Sequence, residues 1–265
     1  MLGSNGSTVE PEPGSRTDRG VSEVVAFIFI FAIILGSVGI LYSVGFGAMT
    51  DYQEHEQRIN AERAMDSLTN NFNDVVRYNG VNQRFGELAL RDGAVTTSDD
   101  GTEISITIGG TDLSDEDRFE RYHDGDALDL GEFIYRHEGT VLAYEGSGLV
   151  RSGESGDWST MLNRPHVKCS EETAVISIVQ VTADDRSVRS GGGLGITMSV
   201  ENRSSKVYDD PGDVTVNVTD TDYEQAWNTT LDAGGWEGDE ESPEGTCGDD
   251  LERVVVTVVE VDVDY

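Results

Sequence analysis

The side chains of this 265-residue chain that could do chemistry are two cysteines, four histidines and 51 carboxylates. Cys169 and Cys247 have no neighbouring histidine and no third sulfur to complete a metal site. An even count in an exported domain suggests one disulfide, the alternative being two separate thiols. Closing a loop of about 80 residues would stabilise by about 4 kcal/mol in the chain-entropy model. His55, His123, His137 and His166 are scattered, with no HExxH spacing. There is no GxSxG motif and no P-loop, and Gly191-Gly192-Gly193-Leu194-Gly195 lacks the dinucleotide-binding spacing. Asp124-Gly125-Asp126-Ala127-Leu128-Asp129 hints at Ca²⁺ ligation but departs from the EF-hand pattern, so a solvated acidic loop is the plainer reading. With so many acids, any carboxylate pair can be picked as acid and base, and abundance removes the information. We therefore expect no catalytic residue, no metal and no cofactor. Asn-x-Ser/Thr sequons occur at Asn5, Asn202, Asn217 and Asn228, the last three being candidates for N-glycosylation.

The element that must position everything else lies near the N-terminus. Asp18-Arg19-Gly20-Val21-Ser22-Glu23 runs directly into Val24-Val25-Ala26-Phe27-Ile28-Phe29-Ile30-Phe31. The apolar stretch continues for roughly two dozen residues to Ala48, enough to cross a bilayer as a helix. A secretory peptide carries its cut site behind its apolar core. Here the candidate site, Arg19, Gly20 and Val21, stands in front of it, so a cut there leaves the helix on the mature chain. Arg16 and Arg19 precede the run while Asp51, Glu54 and Glu56 follow it, which places the leader inside and the bulk outside.

Residues 1–20 read as a cleavable polar leader, disordered to about residue 18, and 21–48 as a transmembrane or filament-core helix. Residues 49–80 read as an amphipathic extension in which Met65, Leu68, Phe72 and Val75/Val76 recur at spacings of three and four. Asn79-Gly80 supplies the stop, giving a helix of about 88 Å at 1.5 Å per residue. Its apolar stripe needs a cover, either another helix or the chain's own sheet. Beyond Gly80 the period falls to two. Strands are expected at 102–108, 132–137, 140–145, 148–152, 174–181, 195–202, 214–219 and 254–263. Glu138-Gly139 makes a hairpin turn and Asp209-Asp210-Pro211-Gly212 a break. A short helix is expected over 222–231, and solvated loops near 109–126, 183–193 and 234–250. The fold class is thus α+β: a long N-terminal helix, then a mostly antiparallel β head over 81–265, a sheet or a sandwich. The Val-rich end segment is expected to pair within the head, since it invites aggregation if left open.

Net charge is −33, from 51 acids against 18 bases. Residues 1–50 hold four acids and two bases, leaving −31 on the rest. Such a chain is not a nucleic-acid binder, because phosphate contacts need a basic surface. Its composition resembles that of haloarchaeal proteins, built for molar salt; an ordinary acidic secreted domain is the alternative.

The order basic residue, glycine, apolar helix resembles the class III leader of archaeal type IV pilins and archaellins. In residues 16–80 the motif and helix match; in the head only the architecture does. The resemblance implies a prepilin-peptidase-type protease that cuts after Gly20. It also implies a lipid bilayer and other pilin-like subunits as partners, and a head displayed on the cell surface, without catalysis. Bacterial type IV pilins carry a glutamate at the fifth mature position; here that residue is Val25, and the nearest acid is Glu23 at the third. The competing expectation is a membrane-anchored extracellular binding protein that never assembles. A secreted, anchored enzyme is the least favoured reading.

Overall fold

The computed structural model describes residues 17–89, 93–189, 191–238 and 242–265. Helix α1 covers Thr17–Phe72 and α2 covers Asp74–Arg77. Strands follow at β1 (Gln83–Ala89), β2 (Ala94–Ser98), β3 (Glu103–Ile108), β4 (Thr111–Asp112), β5 (Leu128–Asp129), β6 (Glu132–His137), β7 (Thr140–Glu145), β8 (Gly148–Gly153), β9 (Ser159–Asn163), β10 (His166–Cys169), β11 (Thr173–Val181), β12 (Arg186–Arg189) and β13 (Gly193–Asp220). Helix α3 (Glu224–Ala233) and strand β14 (Glu244–Asp264) close the chain. The protein is α+β, a long N-terminal apolar helix followed by a mostly antiparallel β head.

The chain divides into two compact units, up to Glu56 and from Gln57 onward. In the first, Val21–Gly45 is one helical stretch long and apolar enough to cross a membrane. Every residue of it is exposed, with Phe27 67% and Ile33 68% accessible. Phe27 and Phe31, one turn apart, stack with ring centroids 6.0 Å apart.

The second unit begins with the last turns of α1. Met65, Leu68, Phe72 and, in α2, Val75 are buried, as their spacing predicts. Their cover is the chain's own β structure. They share an apolar cluster with Leu88, Ile196, Met198 and Val261 of one sheet and Phe133, Leu142 and Tyr144 of the other. The helix was expected to continue to Asn79, but α1 ends at Phe72 and the short α2 at Arg77. Tertiary bonds take over there. The side-chain amide of buried Asn73 donates to the carbonyl of Ser147 (2.8 Å) and accepts from the Tyr144 hydroxyl (3.0 Å). The Arg203 guanidinium, from β13, donates to the carbonyls of Val75 (2.7 Å), Val81 (2.9 Å) and Asn79, satisfying acceptors that a helix end leaves open.

Two sheets build the rest. The first has the order β10-β11-β14-β13-β3-β4, with β1 also on β13 and β5 on β3; the second runs β12-β2-β6-β7-β8-β9. The β11–β14 pair is parallel and the other pairs are antiparallel. The Val-rich end segment sits inside the first sheet, held by β11 on one side and β13 on the other. Its composition has a geometric cause. Val254, Val256 and Val258 enter a cluster with Ile134 and Val150 of the second sheet and Trp227 of α3, whereas Val259, Val261 and Val263 enter the cluster around Phe72. Successive strand residues face opposite sides, so β14 is buried first on one face and then on the other. β11 changes face at the same register, Ile178 opposite Val258 and Val179 opposite Val259.

The β6–β7 hairpin turns at Glu138 (φ 47°) and Gly139 (φ 75°), the left-handed pair that a two-residue turn requires. Other expectations need correction. Asp209-Asp210-Pro211-Gly212 does not separate two strands. It lies within β13, with Asp210 at φ 51°, Gly212 at φ 88° and the register to β14 shifted at that point, so the turn residues make a bulge. Three segments read as solvated loops carry structure: β4 and two 3₁₀ turns in 109–126, β12 in 183–193, and the start of β14 in 234–250. Residues 17 and 18, read as part of a disordered leader, are helical.

Candidate functional site

Arg19, Gly20 and Val21 lie on the first described turns of α1, and Val21 is 66% exposed. Glu23 is exposed on the same helix. The Asn5 sequon lies outside the described residues.

Cys169 and Cys247 form a disulfide with Cα atoms 5.6 Å apart. The bridge spans from β10 across β11 to β14 and so fastens an edge strand to the middle of the first sheet. Next to it, Glu237 and Thr246 exchange both backbone hydrogen bonds (2.9 and 2.8 Å), which holds the segment after α3.

The three head sequons sit in different settings, all half-buried. Asn202 donates from its side-chain amide to the Glu260 carboxylate. Asn217 is mid-strand, opposite Ser105 on one side and Glu244 on the other. Asn228 faces a cleft beside α3. The histidines do not converge: His123 Nδ1 is 2.8 Å from the Phe119 carbonyl, His137 is 3.8 Å from the Glu138 carboxylate, and His166 lies by Ser147. Among the described residues no group of three or more His, Cys, Asp or Glu could hold a metal ion, and Asp124 closes a small backbone bridge with Ala127.

A feature not anticipated from sequence is a buried carboxylate latch on α3. Glu145, at the end of β7, is fully buried. Its Oε1 accepts from the Trp227 indole N–H (2.7 Å), and its Oε2 is 2.8 Å from the Thr102 hydroxyl. Thr102 is in turn 2.7 Å from the Thr221 hydroxyl. One helical turn before Trp227, the Tyr223 hydroxyl donates to Glu132 of β6 (2.9 Å). Two acids of the second sheet thus grip two aromatic donors on one face of the α3 segment. Burial pushes Glu145 up to about 8, against the lowering effect of its donors, and Glu132 up to about 7. Burial also raises Tyr223. Both Glu145 oxygens are occupied and neither meets solvent, which suits a structural proton and not attack on a substrate.

Two open clefts flank α3. One, of about 730 Å³, contains the 42%-exposed Trp158 and, among the described residues, five carboxylates, Asp157, Asp222, Glu224, Asp232 and Glu244, and no base. The other, of about 800 Å³, lies against the far end of α3 and β10.

Against known families, the sequence profile described as a family of unknown function, DUF7289, matches residues 19–264. The chain belongs to DUF7289. No curated protein and no solved structure matches it. The matched range begins at Arg19 and takes in the apolar helix as well as the head down to the last residue of β14. The helix is therefore part of what defines a DUF7289 chain and not an addition to a separate head.

Proposed function

We propose that this DUF7289 chain is a pilin-like cell-surface subunit of a halophilic archaeon, a minor component of a type IV pilus-like filament, without catalysis. The observation that carries the reading is the order of its first elements: Arg19-Gly20, then a 25-residue apolar helix exposed along its whole length. Such a surface needs lipid or other helices around it. The head, single-pass and outside, keeps its disulfide in an oxidising compartment and carries glycans on Asn202, Asn217 or Asn228. A second reading, an anchored binding protein that stays single, is favoured by one observation. The Met65–Leu68–Phe72 stripe is covered by the chain's own sheets and is not left for a neighbouring helix.

The mature protein is expected to begin at Val21, and Gly20→Leu to leave the longer precursor in the membrane. Intact-mass and N-terminal analysis of membrane extracts decides this. A mature N-terminus at Ala48 would make the chain conventionally secreted and end the pilin reading. Assembly has its own test in Glu23. A carboxylate among apolar helices costs about 3 kcal/mol at mid-membrane and less at the interface. In a filament it needs a cation, most simply the Val21 amine of a neighbour. Glu23→Ala is then expected to be processed normally but depleted from sheared surface filaments. Absence of wild-type protein from that sheared fraction selects the second reading.

A further inference from the structure

The cleft at the C-terminal end of α3 inverts the charge of the molecule. Acids outnumber bases 51 to 18 in the chain, yet among the described residues this cleft is lined by Arg77, Arg164 and Lys168 with His166 and by no acid. Lys168 is one of only two lysines in the sequence. The acids close by, Glu171, Glu172 and Asp66, do not line it; Asp66 faces the Asn163 amide instead, at 3.5 Å. The three cations come from separate segments: the last turn of α2, the β9–β10 connection and β10. None of them has an ion-pair partner among the described residues, whereas Arg84, Arg151, Arg186 and Lys206 elsewhere in the head are each within 3.0 Å of a carboxylate. The charged side chains of the lining are all basic. Burial first, then the charges of Arg77 and Lys168, hold the His166 imidazole below its usual range, and no carboxylate is among the causes.

We propose that this cleft binds a tetrahedral oxyanion, phosphate or sulfate, held by Arg77, Arg164 and Lys168. A cleft of about 800 Å³ admits the group alone or as an ester on a larger molecule. Guanidinium forks bind such oxygens in pairs, and the ammonium adds a point charge. A carboxylate offers two coplanar oxygens and one charge to three separated cations, so it serves the site less well. Like-charged heads would gain no general attraction to anions, which makes the local reversal informative. The inference is independent of filament assembly.

The test uses the full chain in zwitterionic detergent in molar KCl, titrated calorimetrically with inorganic phosphate, sulfate, glucose 6-phosphate and acetate. Vesicles of phosphatidylglycerol and of phosphatidylcholine form a further arm. Saturable binding of phosphate or sulfate is expected, with acetate weaker by roughly tenfold. Glucose 6-phosphate or anionic vesicles binding more tightly than the inorganic ion identifies an ester or a headgroup as the source. Lys168→Gln and Arg77→Gln, both at exposed positions, should each weaken binding by roughly three- to tenfold with circular dichroism unchanged. Arg63→Gln, exposed and outside the cleft, should leave it unaltered. Absence of saturable binding in molar KCl, with the head folded by circular dichroism, overturns the proposal. So does equal affinity for acetate, or affinity untouched by both cleft variants.

Discussion

Glu145→Gln is expected to flatten the pH dependence of head stability and to raise stability near pH 9 by on the order of 4 kcal/mol over wild type. The reason is where the proton sits. An unfolded glutamate releases it near 4.5, whereas in the fold burial holds it until about 8. Below the lower value both states are protonated, and the contribution of Glu145 is fully present. Between the two values the unfolded chain sheds a proton that the folded chain keeps, so stability falls as pH rises and is lost past about 8. Glutamine reproduces the protonated form. Its oxygen can accept from Trp227 and its amide can donate to Thr102, where the carboxyl now makes those contacts. Glu132 adds a smaller fall ending near 7, and because Glu132 also raises the proton affinity of Glu145 the double variant Glu132→Gln/Glu145→Gln should be flattest. Urea melts at several pH values in constant molar salt measure this. A wild-type profile that stays flat from pH 5 to about 9, or a Glu145→Gln variant with the wild-type slope, refutes the latch.

How far the sequence revealed this molecule depends on whether a local pattern had a local cause. The apolar helix, the β6–β7 hairpin and the stripe ending at Phe72 were legible because a single periodicity or turn dictates each. β14 was legible as a strand, but its unbroken valines become understandable only when its burial is seen to pass from one face to the other. β1 was missed for the opposite reason: burial alternates along it, but its largest apolar residue, Phe85, is on the outer side at 65% exposure while Arg84 and Gly86 are on the inner side, so residue type does not follow burial. The bulge at Asp210–Gly212 was read as a break between strands because the same left-handed residues serve turns and bulges. Glu145 could not be chosen from 51 acids, since its burial comes from α3, some 80 residues later in sequence. The basic cleft is likewise assembled from α2 and β10, far apart in the chain. The disulfide needed only two cysteines and a compartment, and it is present.

Withdrawal of salt is expected to unfold the head altogether. If every base in the chain were paired, 33 acids would remain without a partner, and 31 of those net charges fall after residue 50. At molar salt the screening length is about 3 Å, so only adjacent carboxylates feel one another; at 10 mM it is about 30 Å, and the whole head repels itself. Expansion relieves that repulsion, and the compact state loses. The core offers no special reserve against it, because net stabilities of folded domains are only about 5–15 kcal/mol. The full chain in detergent should give a folded circular dichroism spectrum in molar KCl and a largely unfolded one in low salt. Acidification towards pH 4 should partly restore the fold at low salt, since protonation removes the same charges. That restoration should survive in the Glu145→Gln variant, because Glu145 is buried and already protonated in the fold, and the charges that acid removes belong to the other carboxylates. A spectrum unchanged down to about 50 mM salt would instead mean that the acids are spaced widely enough to be tolerated, and the halophilic reading would give way to an ordinary acidic surface domain.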